Sequence, residues 1–275
     1  MPPILLHLVP ASIYAALGAH FWRTRWLDPA PARRNGLSLT ERLVILFALA
    51  THGYVLHGAL FPGGGMHFGF GVALSLMLWL AVLFYWIEAL YTRLDGLQTL
   101  AMPIAAISCL LPALFPGHHI LDNSGTPAFR VHFIIAMLAY SLFTLAAFHA
   151  LLMSAAEKRL HDGRLNRALA NLPPLLTMEA LLFRLVSIAF ILLTLTLVSG
   201  IGFSEVLFGR PARFDHKTVF GFASWGIFAT LLVGRHFWGW RGRPALRWIL
   251  AGFVALLLAY VGTRFVTEIL LARPA

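Results

Sequence analysis

The sequence predicts an all-α, polytopic membrane protein with eight transmembrane helices and with both termini on the outer side of the membrane (N-out/C-out). Of its 275 residues, 59% are hydrophobic and only 12% are charged. A soluble domain of this size has too little interior to bury so much apolar surface. The apolar residues form long continuous runs, which indicate helices rather than the alternating strands of an outer-membrane barrel.

Eight apolar runs each have roughly the 20 residues that a helix needs to cross a bilayer. They extend approximately over residues 3–22, 42–61, 69–92, 97–115, 130–156, 180–203, 217–234 and 246–270. No stretch has the composition of a soluble domain, so residues 1–275 are predicted to form a single transmembrane domain.

Glycine and proline clusters mark connections between these runs. Phe61–Gly65 (FPGGG) ends the second run, Phe115–Gly117 (FPG) ends the fourth, and Gly242–Pro244 (GRP) precedes the eighth. The longest connection, residues 157–179, is polar and basic, and we expect a short surface helix in it. Thr177 is the expected N-cap of the sixth span, because a threonine hydroxyl can accept a hydrogen bond from a free amide at a helix start.

The basic residues predict the orientation. Fifteen of the 21 lysines and arginines lie in one set of connections, and six lie in the opposite set. Because cytoplasmic loops carry the excess of Lys and Arg, we expect a multi-pass protein of the bacterial inner membrane with both termini outside. The net charge of +10 therefore reflects topology and does not indicate a nucleic-acid partner. The single cysteine, Cys109, excludes a disulfide framework, a Cys-x-x-Cys pair and covalent haem attachment.

Histidines are enriched in the outer half of this topology. Eight of the twelve fall there, namely His7, His52, His57, His67, His118, His119, His132 and His216. His52 and His132 lie inside two different spans near the same face, and an ionisable residue within a span marks a functional site by default. The two imidazoles could each hydrogen-bond a neighbouring helix, or they could together ligate haem iron or another metal.

Other polar residues near the outer face are additional candidates. His67 follows three glycines and His216 precedes the seventh span, so each is either an additional ligand or a solvated residue. The adjacent His118 and His119 are predicted to lie in a loop, where histidines are more often solvated than involved in binding. Arg130, at the edge of the fifth span, has no acid nearby in sequence and is a candidate partner for an anionic group such as a haem propionate.

Two acidic residues have predicted structural partners. Glu268 lies one turn beyond Arg264, a spacing that favours an ion pair. Glu88, near the inner end of the third span, is expected to pair with Arg93 and to extend toward the membrane surface. The sequence contains no phosphate-binding loop, His-Glu-x-x-His motif or nucleophile elbow, so no motif supports a catalytic role.

Five segments together carry a family resemblance. They are Val131–Tyr140 (VHFIIAMLAY), Asn171–Glu179 (NLPPLLTME), Thr194–Gly200 (TLTLVSG), Asp215–Thr218 (DHKT) with Trp225, and Gly239–Arg243 (GWRGR). In combination they resemble the cytochrome c assembly membrane proteins, the CcsA, ResC and CcmC group, and most closely their short HemX-like or YpjD-like branch. The resemblance extends over nearly the whole chain and is strongest in its second half.

The resemblance implies handling of haem in the membrane for attachment to apocytochrome c. It implies that haem b is held non-covalently near the outer leaflet by histidines. His132 matches the family's outer histidine in the fifth span, and His52 matches an intramembrane histidine. The segment Phe214–Thr218 occupies the end of a helix near which the family has another outer histidine. The implied partners are haem, the lipid bilayer and other cytochrome c assembly proteins.

The family's tryptophan-rich outer segment has no counterpart in this sequence, so haem ligase activity does not follow from the resemblance. The implied function is haem handling or delivery in cytochrome c or haem-protein biogenesis. The alternative function is a membrane permease or a non-catalytic partner subunit without haem, in which the histidines only hydrogen-bond between helices.

Overall fold

The computed structural model describes residues 3–27, 36–63, 65–92, 96–116, 120–121, 124–161, 172–208 and 216–271. Nearly all of these residues are helical, and the only β-type pairing within these ranges is a single bridge between His67 and Ile120. The predicted all-α class is therefore confirmed.

Eight helices follow one another in the described part of the chain. They are α1 (Pro3–Phe21), α2 (Leu39–Leu60), α3 (Phe70–Tyr91), α4 (Gln98–Leu114), α5 (Pro127–His161), α6 (Leu175–Phe208), α7 (His216–Trp238) and α8 (Gly242–Leu270). A π-helical segment, Trp22–Leu27, continues α1, and α8 contains two more, Leu258–Gly262 and Val266–Leu270.

Seven of these helices are long and apolar enough to cross a membrane, and α4 is a shorter apolar helix of 17 residues. Seventeen residues extend about 25 Å, which is near the lower limit for a bilayer. The eight predicted helices are thus confirmed in approximate position, and seven of them have the length of a membrane span. Side chains such as Tyr54, Ile191 and Val198 are exposed on the helix surfaces, as contact with lipid requires.

A capping box defines the start of α2. The Ser38 hydroxyl accepts a hydrogen bond from the Glu41 amide at 3.2 Å, and the Glu41 carboxylate accepts one from the Ser38 amide at 2.7 Å. These bonds satisfy amides that would otherwise lack partners at the helix start. The helix therefore begins at Leu39, three residues before the predicted span.

The start of α6 differs from the prediction. The helix begins at Leu175, directly after two prolines, and the Pro174 carbonyl accepts a hydrogen bond from the Thr177 amide at 2.9 Å. Thr177 lies inside the first turn, so its predicted role as the N-cap is wrong. A helix start tolerates proline, because the φ angle of proline is already helical and its missing amide is not needed there. The expected surface helix falls mainly on residues 162–171, which lie outside the described residues.

The helices pack as two groups of four. In the first group, α1 packs against α2 and α4, and α3 packs against the same two helices. In the second group, α5 packs along α6 and α7 packs along α8, with further contacts between α5 and α8 and between α6 and α7. Contacts of α3 with α5 and with the first π-helical segment of α8 join the two groups.

Gly71 allows α3 to approach α4 closely. A β-carbon at this position would lie 2.5 Å from the Leu111 carbonyl oxygen and 2.8 Å from that of Phe115. Because backbone atoms cannot move aside as a flexible side chain can, we expect Gly71→Ala to lower the free energy of unfolding by about 1–3 kcal/mol. Thermal unfolding in detergent measures the change. The matched control is Gly226→Ala, because no atom lies within 4 Å of its β-carbon position, and equal stability of the two variants would contradict the close approach.

Candidate functional site

His132 lies near the outer end of α5, five residues after the first residue of the helix. Its Nδ1 atom is 2.8 Å from the Ser199 hydroxyl of α6. The next residue, Gly200, packs against the imidazole, and a β-carbon there would be in van der Waals contact with Cε1 of His132 at 3.4 Å. The serine orients the ring through Nδ1.

Aromatic side chains, including that of Phe133, the residue after His132 in the chain, form a cluster at the junction of the two helix groups. Phe133 contacts Phe68 edge-on, with ring centroids 4.9 Å apart, and stacks on Phe129 at 6.0 Å. Phe68 is buried and also contacts Tyr260 of α8 at 5.5 Å. We call these four residues the outer aromatic shell. The shell joins α5, α8 and the segment before α3 through apolar contacts.

Charged residues lie next to the outer aromatic shell. The Arg264 guanidinium is 5.6 Å from the Tyr260 ring centroid and 3.6 Å from the Glu268 carboxylate. The predicted pair of Arg264 and Glu268 is therefore confirmed. Glu268 also accepts a hydrogen bond from the Phe70 amide at 2.8 Å, so the pair connects α8 to the start of α3. The amino group of Lys217, in α7, lies 5.9 Å from the Tyr260 ring centroid.

The remaining predicted outer residues occupy peripheral positions. Arg130 is exposed, and its Nε donates a hydrogen bond to a backbone carbonyl six residues earlier at 3.1 Å. His216 is the first residue of α7 and is exposed. His67 is half-buried, and its backbone forms the bridge to Ile120. His118 and His119 lie outside the described residues.

His52 lies in the first helix group and is only 1% exposed. Its Nε2 atom is 2.9 Å from the Ser75 hydroxyl of α3, and its ring meets Tyr14 of α1 edge-on at 5.8 Å. In the described part of the structure, Nδ1 of this histidine has no hydrogen-bond partner. A buried nitrogen without a hydrogen bond raises the free energy of the folded state. A bound group that pairs with Nδ1 would therefore be stabilising at this position.

His7 is a second buried histidine of the first helix group, and the sequence interpretation did not select it. Its Nδ1 atom is 2.7 Å from the Cys109 carbonyl of α4. The sequence places His7 in the first span and in the outer half, as it does other histidines. Selecting it requires the packing of α1 between α2 and α4, which no local pattern reveals.

His52 and His132 lie at comparable depths but face different neighbours. His52 precedes the end of α2 by eight residues and His132 follows the start of α5 by five, about 12 and 7.5 Å along the helix axes. His52 faces α1 and α3, whereas His132 faces α6. The structure brings His52 together with Ser75 and Tyr14, and it brings His132 together with Ser199. The ligand pair of His52 and His132 stays a prediction.

The sequence interpretation also missed a cluster of polar side chains in the inner half of the bundle. The Glu88 carboxylate of α3 is 3.9 Å from Nε2 of His149 in α5 and 3.5 Å from the Arg184 guanidinium of α6. The prediction that Glu88 extends to the membrane surface is wrong, because its side chain is 9% exposed and contacts α5 and α6. Its predicted partner Arg93 lies outside the described residues. The sequence did contain a signal for this cluster, because a histidine and a glutamate lie within two different spans.

Among the described residues, no group of three or more His, Cys, Asp or Glu side chains is arranged to hold a metal ion. Haem iron takes only one or two axial ligands from the protein. Single oriented imidazoles such as His132 and His52 are therefore the donors to consider for haem.

The family model for Cytochrome C assembly protein matches residues 41–271. This chain belongs to the cytochrome c assembly protein family. The match includes the four histidines proposed from the sequence, His52, His67, His132 and His216. The family resemblance inferred from the sequence is thereby confirmed.

Individual relatives support the same assignment. Inner membrane protein YpjD of Escherichia coli (strain K12) is 29% identical over 272 residues, which cover 95% of this chain and 100% of that protein. Cytochrome c biogenesis protein CcsA of Prochlorococcus marinus (strain MIT 9215) is 34% identical over 88 residues, 32% of this chain and 28% of that protein. A 28.8 kDa protein of Azospirillum brasilense is 31% identical over 151 residues, 54% of this chain and 56% of that protein. No solved structure matches the chain.

These similarities and the apolar helices identify a multi-pass protein of the inner membrane. The family match and the CcsA relatives support a role in cytochrome c biogenesis. The chemistry available for such a role is that of intramembrane imidazoles oriented by serine hydroxyls.

Proposed function

We propose that this protein binds haem b non-covalently in the outer half of the inner membrane and passes it on during cytochrome c or haem-protein biogenesis. The observation that carries the proposal is the imidazole of His132, held through Nδ1 by Ser199 near the end of a helix that also carries Phe129 and Phe133 of the outer aromatic shell. Imidazole is a common axial ligand of haem iron. A hydrogen-bonding partner on one ring nitrogen commonly orients the other nitrogen toward a metal.

The surroundings of His132 suit a porphyrin as cargo. The outer aromatic shell places apolar rings at the same end of α5 as His132. Apolar surroundings keep water from the iron and favour an uncharged imidazole, which is the form that binds metal. In this proposal His132 binds the iron and Ser199 keeps its ring in one orientation.

A haem near the outer leaflet also needs partners for its two propionates. Arg130 is the proposed partner, because its exposed guanidinium lies two residues before His132 at the start of α5. Arg264 is less suitable, because it is buried and paired with Glu268. His216 and His67 are proposed as additional ligands at the same outer face.

His52 is the second proposed ligand. Its buried Nδ1, which lacks a partner in the described structure, would be satisfied by iron or by a group bound to iron. Because His52 faces α1 and α3, its contribution is separable from that of His132 and is best tested with its own variant.

The absorption spectrum of the protein, purified in mild detergent from haem-replete cells, tests the proposal. We expect a Soret band, and we expect added haemin to bind wild type more tightly than a His52→Ala/His132→Ala double variant. Axial ligation by imidazole is the physical reason for both results. The proposal is contradicted if the purified wild-type protein is colourless and binds haemin no more tightly than the double variant.

A second candidate function is a permease or a non-catalytic partner subunit without haem. The hydrogen bonds of His52 to Ser75 and of His132 to Ser199 favour it, because bonds between helices explain intramembrane imidazoles without any ligand. A glutamine amide can keep such a bond but is a poor ligand for iron. Cytochrome c maturation that persists in His52→Gln and His132→Gln variants therefore favours this function, and its loss favours haem binding.

A further inference from the structure

A cavity of about 940 Å³ lies between the inner ends of α1 and α2. Its apolar walls include Ile13, Ala16, Leu17 and Val44. Its polar end consists of His20, Arg25, Ser38, Thr40 and Glu41. We call this cavity the inner cleft. It lies on the opposite side of the membrane from His132, so it is separate from the proposed haem site.

The polar end of the inner cleft carries charges of both signs. Nη2 of Arg25 is 3.1 Å from Oε2 of Glu41, and the two residues are 5% and 8% exposed. Nε2 of His20 is 2.9 Å from Oε1 of the same glutamate, and the His20 side chain is exposed at the rim of the cleft. A ligand with only negative charge would therefore approach a carboxylate as well as a guanidinium. A headgroup with both a cation and an anion complements this end better.

The length of the inner cleft matches one leaflet of a bilayer. Its lining extends along α1 from Ser12 to Arg25, which is 13 residues or about 20 Å at the helical rise. Half of the hydrocarbon core is about 15 Å thick, and one headgroup region adds roughly 5–7 Å. A molecule with its chain along the apolar walls and its head at Arg25 therefore has the dimensions of a lipid of the inner leaflet.

We propose that the inner cleft binds one phospholipid with a zwitterionic headgroup, the chemistry of phosphatidylethanolamine. The phosphate approaches Arg25 and His20, the amine approaches Glu41, and an acyl chain lies along the apolar walls. Haem is a poorer match, because both of its propionates would meet the Glu41 carboxylate. The bound lipid would occupy the space between α1 and α2 and hold their inner ends in place.

Native mass spectrometry of the full-length protein released from nanodiscs tests this proposal. The nanodiscs contain equal amounts of phosphatidylethanolamine and phosphatidylglycerol. We expect wild type to retain a single phosphatidylethanolamine in preference to phosphatidylglycerol. Ala16→Phe fills the apolar part of the cleft and is expected to lose most of this lipid. Ala19→Phe, at an exposed position of α1 outside the cleft lining, is the matched control and is expected to keep it.

Glu41→Gln is the second variant, and it removes the proposed partner of the amine. We expect the retained lipid to shift from phosphatidylethanolamine toward phosphatidylglycerol. Where this variant fails to fold, the pair of Ala16→Phe and Ala19→Phe decides the question. Equal retention of the two lipids by wild type, or undiminished lipid in Ala16→Phe, overturns the proposal. Loss of the Soret band in Ala16→Phe without loss of lipid would assign the cleft to haem and also overturns it.

Discussion

Replacement of His132 by alanine is expected to remove most of the haem that copurifies with the protein and to weaken haemin binding strongly. The substitution removes the proposed axial nitrogen, so the porphyrin would be held by apolar contacts alone. Ser199→Ala keeps the imidazole but removes the hydroxyl from Nδ1. It is expected to weaken haemin binding less, by about 10–100-fold, as loss of a partner of a ligating histidine commonly does. Soret absorbance per protein and haemin titration measure both effects.

His57→Ala is the matched control for these variants. His57 is also in the outer half, near the end of α2, but it is exposed, and we expect its replacement to leave the Soret band unchanged. His132→Gln separates ligation from hydrogen bonding, because the amide can still contact Ser199. A full Soret band in His132→Ala would show that another residue ligates the iron and would contradict the assignment.

Glu41→Ala is expected to destabilise the protein more than either Gly71→Ala or Ser38→Ala. It removes the carboxylate that pairs with the Arg25 guanidinium, which is 5% exposed. Breaking a buried ion pair from one side costs about 3–5 kcal/mol. Glu41 also belongs to the capping box of α2, whose loss adds about 1 kcal/mol. Thermal or denaturant unfolding in detergent measures the total change.

Two further variants separate the contributions of Glu41. Ser38→Ala removes the cap and keeps the ion pair, and we expect it to cost about 1 kcal/mol. The double variant Arg25→Leu/Glu41→Leu removes both charges, and it is expected to recover part of the stability that Glu41→Ala loses. If Glu41→Ala is no less stable than Ser38→Ala, the ion pair contributes little and the prediction fails.

The helices were predictable from the sequence, but their ends were less so. An apolar run long enough to cross a bilayer has few alternatives to a helix, because its backbone amides and carbonyls must bond within the segment. The ends depend on polar flanking residues, such as Ser38 at α2 and Pro174 at α6. Hydropathy does not measure these effects, so α2 begins before its predicted span and Thr177 lies inside α6 instead of capping it.

The polar groups of the site were predictable as residues but not as contacts. The sequence identified His52 and His132 as intramembrane imidazoles, yet their partners Ser75 and Ser199 were not recognised. Serine is common in packed helices and carries no signal that it faces a histidine. Glu88 shows the same limit more clearly. Its nearest cation in sequence suggested a surface position, whereas its partners come from two other helices.

The amino-acid sequence was sufficient to predict a multi-pass helical membrane protein, the approximate position of each helix along the chain, and the family to which the chain belongs. These properties depend on hydropathy, chain length and position along a helix, all of which are local. The folded bundle was needed to show that His132 faces Ser199, that His52 faces Tyr14 and Ser75, and that Arg25 and Glu41 close one end of the inner cleft. Such contacts depend on how each helix is rotated about its axis and on which helices are neighbours, and packing of the whole bundle sets both.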